Sequence, residues 1–129
     1  MRRRLGLVVL TLVASAATLG LAACAAAPPA QDENAPITIQ NSQMSIVIVN
    51  KVGMPLTDVD VAIVPVGGAT EFKKFIGRME NAEKRDLALG GFYGRDGTTF
   101  SLRVVRPRAV RVTGKDLNAK PYSVEARWQ

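Results

Sequence analysis

Residues 37–129 predict an all-β fold: a single antiparallel β-sandwich of about seven or eight strands, preceded by an apolar N-terminal helix and a disordered tether. Three observations carry this. Apolar and polar residues alternate with period 2 in several short runs, as strands do when one face meets a core and the other meets water. Turn-forming residues recur at roughly ten-residue spacing, which suits short antiparallel connections better than alternating helix and strand. The stretch from Ile37 to Trp128 is also one domain's worth of chain, a size at which a fold buries about 60 to 65% of its unfolded surface.

Taken in order, Ile37 and Ile39 sketch a short first strand. Ser45-Ile46-Val47-Ile48-Val49 is apolar at both parities and reads as a central strand. Asn50-Lys51-Val52-Gly53-Met54-Pro55 reads as a turn. The cleanest alternation follows in Thr57 to Ile63, where Val59, Val61 and Ile63 share a face opposite Asp58, Asp60 and Ala62. After Gly67-Gly68, the residues Phe72, Phe75, Ile76 and Met79 are spaced 3, 1 and 3, which fits either a helical turn or a strand with a bulge. Asn81 to Lys84, Gly90-Gly91 and Asp96-Gly97 punctuate the next stretch, with glycine at position 97 suited to a tight turn. Pro107 opens a strand in which Val110 and Val112 pack inward and Arg111 faces water. Past Asp116-Leu117-Asn118, a last strand alternates Tyr122, Val124, Ala126 and Trp128 with Ser123, Glu125 and Arg127. Phe92, Phe100, Tyr122 and Trp128 read as core, leaving Tyr93 as the aromatic for the surface.

The N-terminus has a different character. Arg2-Arg3-Arg4 precede an apolar stretch of 19 residues, Leu5 to Ala23, diluted by Gly6, Thr11, Ser15, Thr18 and Gly20 and closed by Leu21-Ala22-Ala23-Cys24. A basic region, a short apolar region and small residues before cysteine resemble the lipobox signal of bacterial lipoproteins. The resemblance implies cleavage before Cys24, a thioether-linked diacylglycerol and an N-acyl chain such as palmitate on Cys24, and attachment to a membrane. Residues 1–23 are then the signal peptide, 24–36 the lipidated cysteine and flexible tether, and 37–129 the folded domain. Ala25 is not the aspartate that retains such proteins at an inner membrane. The expected place is therefore the periplasmic face of an outer membrane, or the outer face of the cell membrane where there is only one.

The order and number of strands are similar to immunoglobulin-like and fibronectin type III-like sandwiches, with two departures. There is no cysteine pair, and the one tryptophan, Trp128, lies on the last strand rather than an early one. The run from Phe75 through Phe92-Tyr93-Gly94-Arg95-Asp96-Gly97-Thr98-Thr99-Phe100 to Val110 also resembles small bacterial envelope proteins with a sandwich fold, a family that brings no catalytic residues.

Composition excludes much chemistry. The chain has no histidine and one cysteine, which lipid occupies, so Ser-His-Asp and Cys-His sites and zinc sites built on imidazole or thiolate are absent. Asp58 and Asp60, on one strand face near the short end of glycosidase spacing, keep a carboxylate pair formally possible, and they read as a solvated strand face. Arg95-Asp96-Gly97-Thr98-Thr99 offers too few oxygens for calcium and reads as a turn. The expectation is no enzyme, no metal and no cofactor beyond the lipid on Cys24. The formal charge of +6 falls to +3 once Arg2, Arg3 and Arg4 leave with the signal, and an envelope address removes nucleic acid as a partner.

One charged feature stands out: Arg103, Arg106, Arg108 and Arg111, flanked by Arg95. With Tyr93 these are the candidate binding residues, through guanidinium forks that take anionic groups. The competing reading of the arginines is charge that guards an exposed strand edge. The function expected is that of a membrane-anchored, non-catalytic interaction or assembly module docking an envelope protein. The alternative is a module for an anionic glycan or lipid headgroup. Metabolic labelling with palmitate tests the address: wild type should carry label and Cys24→Ser should carry none, because no other residue can form the thioether.

Overall fold

The computed structural model describes residues 34–68 and 70–129. The segments expected to be a signal peptide and a tether lie wholly or mostly outside the described residues, as does Cys24. Among the described residues there are seven strands: β1 (Ile37–Asn41), β2 (Ser45–Asn50), β3 (Leu56–Pro65), β4 (Phe72–Met79), β5 (Lys84–Ala88), β6 (Pro107–Asp116) and β7 (Pro121–Arg127). They form two antiparallel sheets, a three-stranded one in the order β1-β2-β5 and a four-stranded one in the order β4-β3-β6-β7. Between them lies a single apolar core, so the architecture is a β-sandwich.

The core follows from the alternation. Val59, Val61 and Ile63 of β3 meet Val110 and Val112 of β6, all fully buried, while Ile37, Ile39, Ile46, Ile48 and Leu87 come from the other sheet. Each such side chain contributes about 1.5 to 3 kcal/mol relative to exposure. Tyr122, Val124, Ala126 and Trp128 sit on the inward parity of β7 but are only half-buried against that core, because β7 is an edge strand. β2 is central in its sheet, as its sequence suggests. Ile46 and Ile48 are buried, whereas Val47 and Val49 on its outer face are half-exposed.

Two irregularities decide how β3 and β4 present their side chains. The β3 register breaks between Leu56 and Val59, with Asp58 at φ 52, so one extra residue is accommodated and both Leu56 and Val59 face inward. β4 breaks at Ile76-Gly77, where Gly77 takes φ 83, a value that favours glycine. The segment with 3, 1 and 3 spacing is therefore a bulged strand: Phe72 and Met79 are buried and Phe75 is turned out, 68% exposed.

The chain crosses between sheets at two connections on the base of the sandwich, β2 to β3 and β4 to β5, and Asn50 joins them. Its side chain is wholly buried. The amide donates to the carbonyls of Met54 (2.9 Å) and Glu80 (3.1 Å), and its oxygen accepts the Val52 N–H at 3.0 Å. The opposite end is closed by rings. Phe100 stacks edge-on against Phe72 with centroids 5.3 Å apart, and Trp128 lies 6.3 Å from Phe100. Among the described residues no buried side-chain nitrogen or oxygen lacks a partner. Asn50→Ala strands two carbonyls and an N–H at the base, so its urea-unfolding free energy should fall by about 2 to 4 kcal/mol with an unchanged m-value.

Candidate functional site

Pairing in the four-stranded sheet builds a row of outward side chains. Arg111 of β6 stands opposite Glu125 of β7 on one side and Ala62 of β3 on the other, Ala62 opposite Lys73 of β4, and Lys73 opposite Tyr93 through an isolated bridge. Residues paired across antiparallel strands share a face. Tyr93, Lys73, Ala62, Arg111 and Glu125 therefore run across one outer surface, with Phe75, opposite Asp60, in the next row. Tyr93 is 53% exposed and Phe75 is the most exposed aromatic among the described residues. The Phe75 ring lies beside Gly77, at ordinary van der Waals distance from where a Cβ would stand.

Arg111 differs from its expected role. Its Nη2 lies 2.6 Å from both carboxylate oxygens of Glu71, and both side chains are about one-third exposed. The guanidinium is thus a neutralised part of the sheet face rather than a free cation in water. Strand order also excludes edge protection by Arg108 and Arg111, because β6 is an interior strand flanked by β3 and β7.

The remaining arginines divide between two places. Arg95 sits in a turn where Gly97 donates to the Gly94 carbonyl and the Thr98 N–H donates to Asp96 Oδ1 at 3.0 Å. Those contacts from the N–H and hydroxyl of Thr98 hold the Asp96 carboxyl below the ordinary range. Arg103, Arg106 and Arg108 are exposed at the ring-closed end of the sandwich, in none of the ion pairs among the described residues. The four arginines expected to act together are therefore three at one end and one on a sheet face. Cys24 lies outside the described residues.

Sequence reasoning missed Phe75 and also the exposed aliphatic residues Met44, Val66, Leu102 and Val104. For Phe75 a signal existed in Gly77, since an isolated glycine in a strand marks a bulge that reverses the parity on either side. Asp58 and Asp60 do not form a pair: the bulge leaves Asp58 exposed, while Asp60 is half-buried between Thr113 and Phe75. Asp58, Thr113, Lys115, Tyr122 and Ser123 border an open hollow of about 350 Å³. Among the described residues no group of three or more His, Cys, Asp or Glu side chains gathers to hold a metal, and no helix is long and apolar enough to cross a membrane.

Beside that hollow, Asp116 organises the β6–β7 turn. Its carboxylate accepts the N–H groups of Asn118 (2.8 Å) and Lys120 (3.0 Å) and the Tyr122 hydroxyl at 3.2 Å. Burial alone would raise its pKa, but these donors and the Lys120 charge outweigh it, and the group titrates below the ordinary carboxylate range. Comparison with known proteins finds no matching family model, curated protein or solved structure.

A carboxyl depressed by folding stabilises the native state fully above its unfolded pKa, near 4, and loses that contribution as pH falls through the lower folded value. Urea midpoints between pH 6 and pH 2 should therefore drop less steeply for Asp116→Asn than for wild type. The variant should already be the less stable of the two at pH 6.

Proposed function

We propose that this chain is a membrane-anchored, non-catalytic accessory module of the cell envelope that docks a protein partner through the outer face of its four-stranded sheet. The lipid on Cys24 places it on the periplasmic face of an outer membrane, or outside the cell membrane where there is only one. The observation that carries the docking is the exposed pair Phe75 and Tyr93, standing on neighbouring rows of a rigid sheet beside Lys73 and the Arg111–Glu71 ion pair. Exposed aromatics on a preordered face, with arginine nearby, are the composition that concentrates binding energy in protein interfaces. Long-range pairing holds them in place before any partner arrives, so little ordering entropy is lost on contact.

The non-catalytic reading rests on the chain's chemistry: no histidine, and a single cysteine given to lipid. An immunoglobulin-like, fibronectin type III-like classification is supported by strand order. With β1 to β7 lettered A, B, C, C′, E, F and G, the sheets become A-B-E and C′-C-F-G, so the fourth strand joins the C-F-G sheet.

Affinity capture from detergent-solubilised envelopes tests the docking face. The wild-type chain should retain one or a few discrete proteins, and Phe75→Ser with Tyr93→Ser should lose them while keeping the wild-type melting temperature. Retention of the same proteins by the double variant overturns the assignment of this face.

A further inference from the structure

The ring-closed end of the sandwich carries a second surface of different chemistry. Antiparallel pairing puts the β1–β2 turn, the β3–β4 turn and the connection from η1 (Leu89–Gly91) to β6 at this end. Met44 (82% exposed), Val66 (52%), Leu102 (38%) and Val104 (85%) all belong to these segments. The only other exposed large aliphatic residue among the described ones, Leu117, lies in the β6–β7 turn at the base. Arg103, Arg106 and Arg108 are interleaved with them. The Val66 N–H donates to the Arg106 carbonyl at 2.9 Å, which joins the two loops side by side.

This tip is built rather than loose. Phe100 is buried and Val105 packs on the core, pinning the loop on either side. Between them the N–H groups of Val104 and Val105 donate to the Ser101 carbonyl, and the Arg103 N–H donates to the Ser101 hydroxyl at 3.3 Å. The turn so formed holds Leu102 and Val104 out in water, where each exposes apolar surface at a cost in free energy.

We infer that this tip inserts into the surface of a bilayer rich in anionic phospholipid. Exposed aliphatic side chains at a loop apex, ringed by arginines whose stems are apolar and whose heads reach the phosphates, match the polarity gradient of a lipid interface. Three exposed arginines supply the complementary charge. A protein patch would bring acidic partners to such a tip. Here Asp96 keeps its charge and Glu71 is paired with Arg111, so Arg95, Arg103, Arg106 and Arg108 outnumber the remaining carboxylate and the tip is net cationic.

Geometry allows contact with the anchoring membrane, and the inference rests on that address. The chain reaches Ile37 at the base, and the 13 residues from Cys24 to there extend to at most about 45 Å. The ten residues of β6 span about 33 Å, so the tether is long enough for the domain to set its tip on the membrane that holds it.

The full-length lipoprotein reconstituted on vesicles tests this, with Val104→Cys or, at the other end, Leu117→Cys carrying an environment-sensitive fluorophore. A chain with no added cysteine sets the background. On vesicles of phosphatidylglycerol and phosphatidylcholine, the label at 104 should brighten several-fold and be quenched by brominated lipid, while the label at 117 should not. The effect should shrink on pure phosphatidylcholine, in high salt, and when Arg103, Arg106 and Arg108 are all replaced by Ser. Equal responses at 104 and 117, or a label at 104 indifferent to anionic lipid on vesicles the protein still floats with, overturns the tip contact and leaves the anchor standing. A full-length chain that does not float with vesicles at all overturns both.

Discussion

Burying one amide, that of Asn50, governs how this sandwich is closed. The chain passes from one sheet to the other at β2–β3 and returns at β4–β5, and both crossings leave carbonyls facing the interior. A buried carbonyl without a donor is costly, so the crossings are tolerated only where something supplies one. Asn50 donates to a carbonyl from each crossing and accepts an N–H from the first. Its backbone is engaged in the same way, accepting from Ala82 and donating to Glu83. The base is thus held by directional polar bonds.

The opposite end is held differently, by the Phe72, Phe100 and Trp128 rings. Apolar packing leaves the loops above it free to carry whatever side chains selection places there, provided a few residues are sunk into the core. Phe100 and Val105 do this for the turn that lifts Leu102 and Val104 into solvent. The rigid sheet below presents Phe75 and Tyr93 sideways. The proposed docking face and the tip therefore point in different directions, so contact of the tip with a bilayer would leave the sheet face open to a partner beside it.

Much of this was legible in the sequence wherever alternation was strong. Val59 to Ile63, Val110 to Val112 and Tyr122 to Trp128 announce β3, β6 and β7, and the turn signals bound them. β5 was not, because Lys84–Ala88 sends only Leu87 into the core and one inward residue makes no pattern. The stretch from Phe92 to Arg106 contributes only isolated bridges at Tyr93. Asn50 reads as a turn residue, and its burial depends on carbonyls that are 4 and 30 positions away. The arginine group illustrates the same limit. Proximity along the chain suggested one patch, but Glu71, 40 residues from Arg111, claims that guanidinium, and a bond of that range has no local trace. The exposure of Phe75 turned on a bulge at Gly77 that the spacing alone left open.

In the proposed function, one face of the four-stranded sheet meets a protein while the chain sits in its own envelope. Site-specific photocrosslinking in intact cells reads this most directly, with a photoreactive amino acid at position 75 in one strain and at position 117 in another. A discrete crosslinked band of one partner is expected from position 75 and none from position 117. No crosslink at 75, or the same products from both positions, would contradict it.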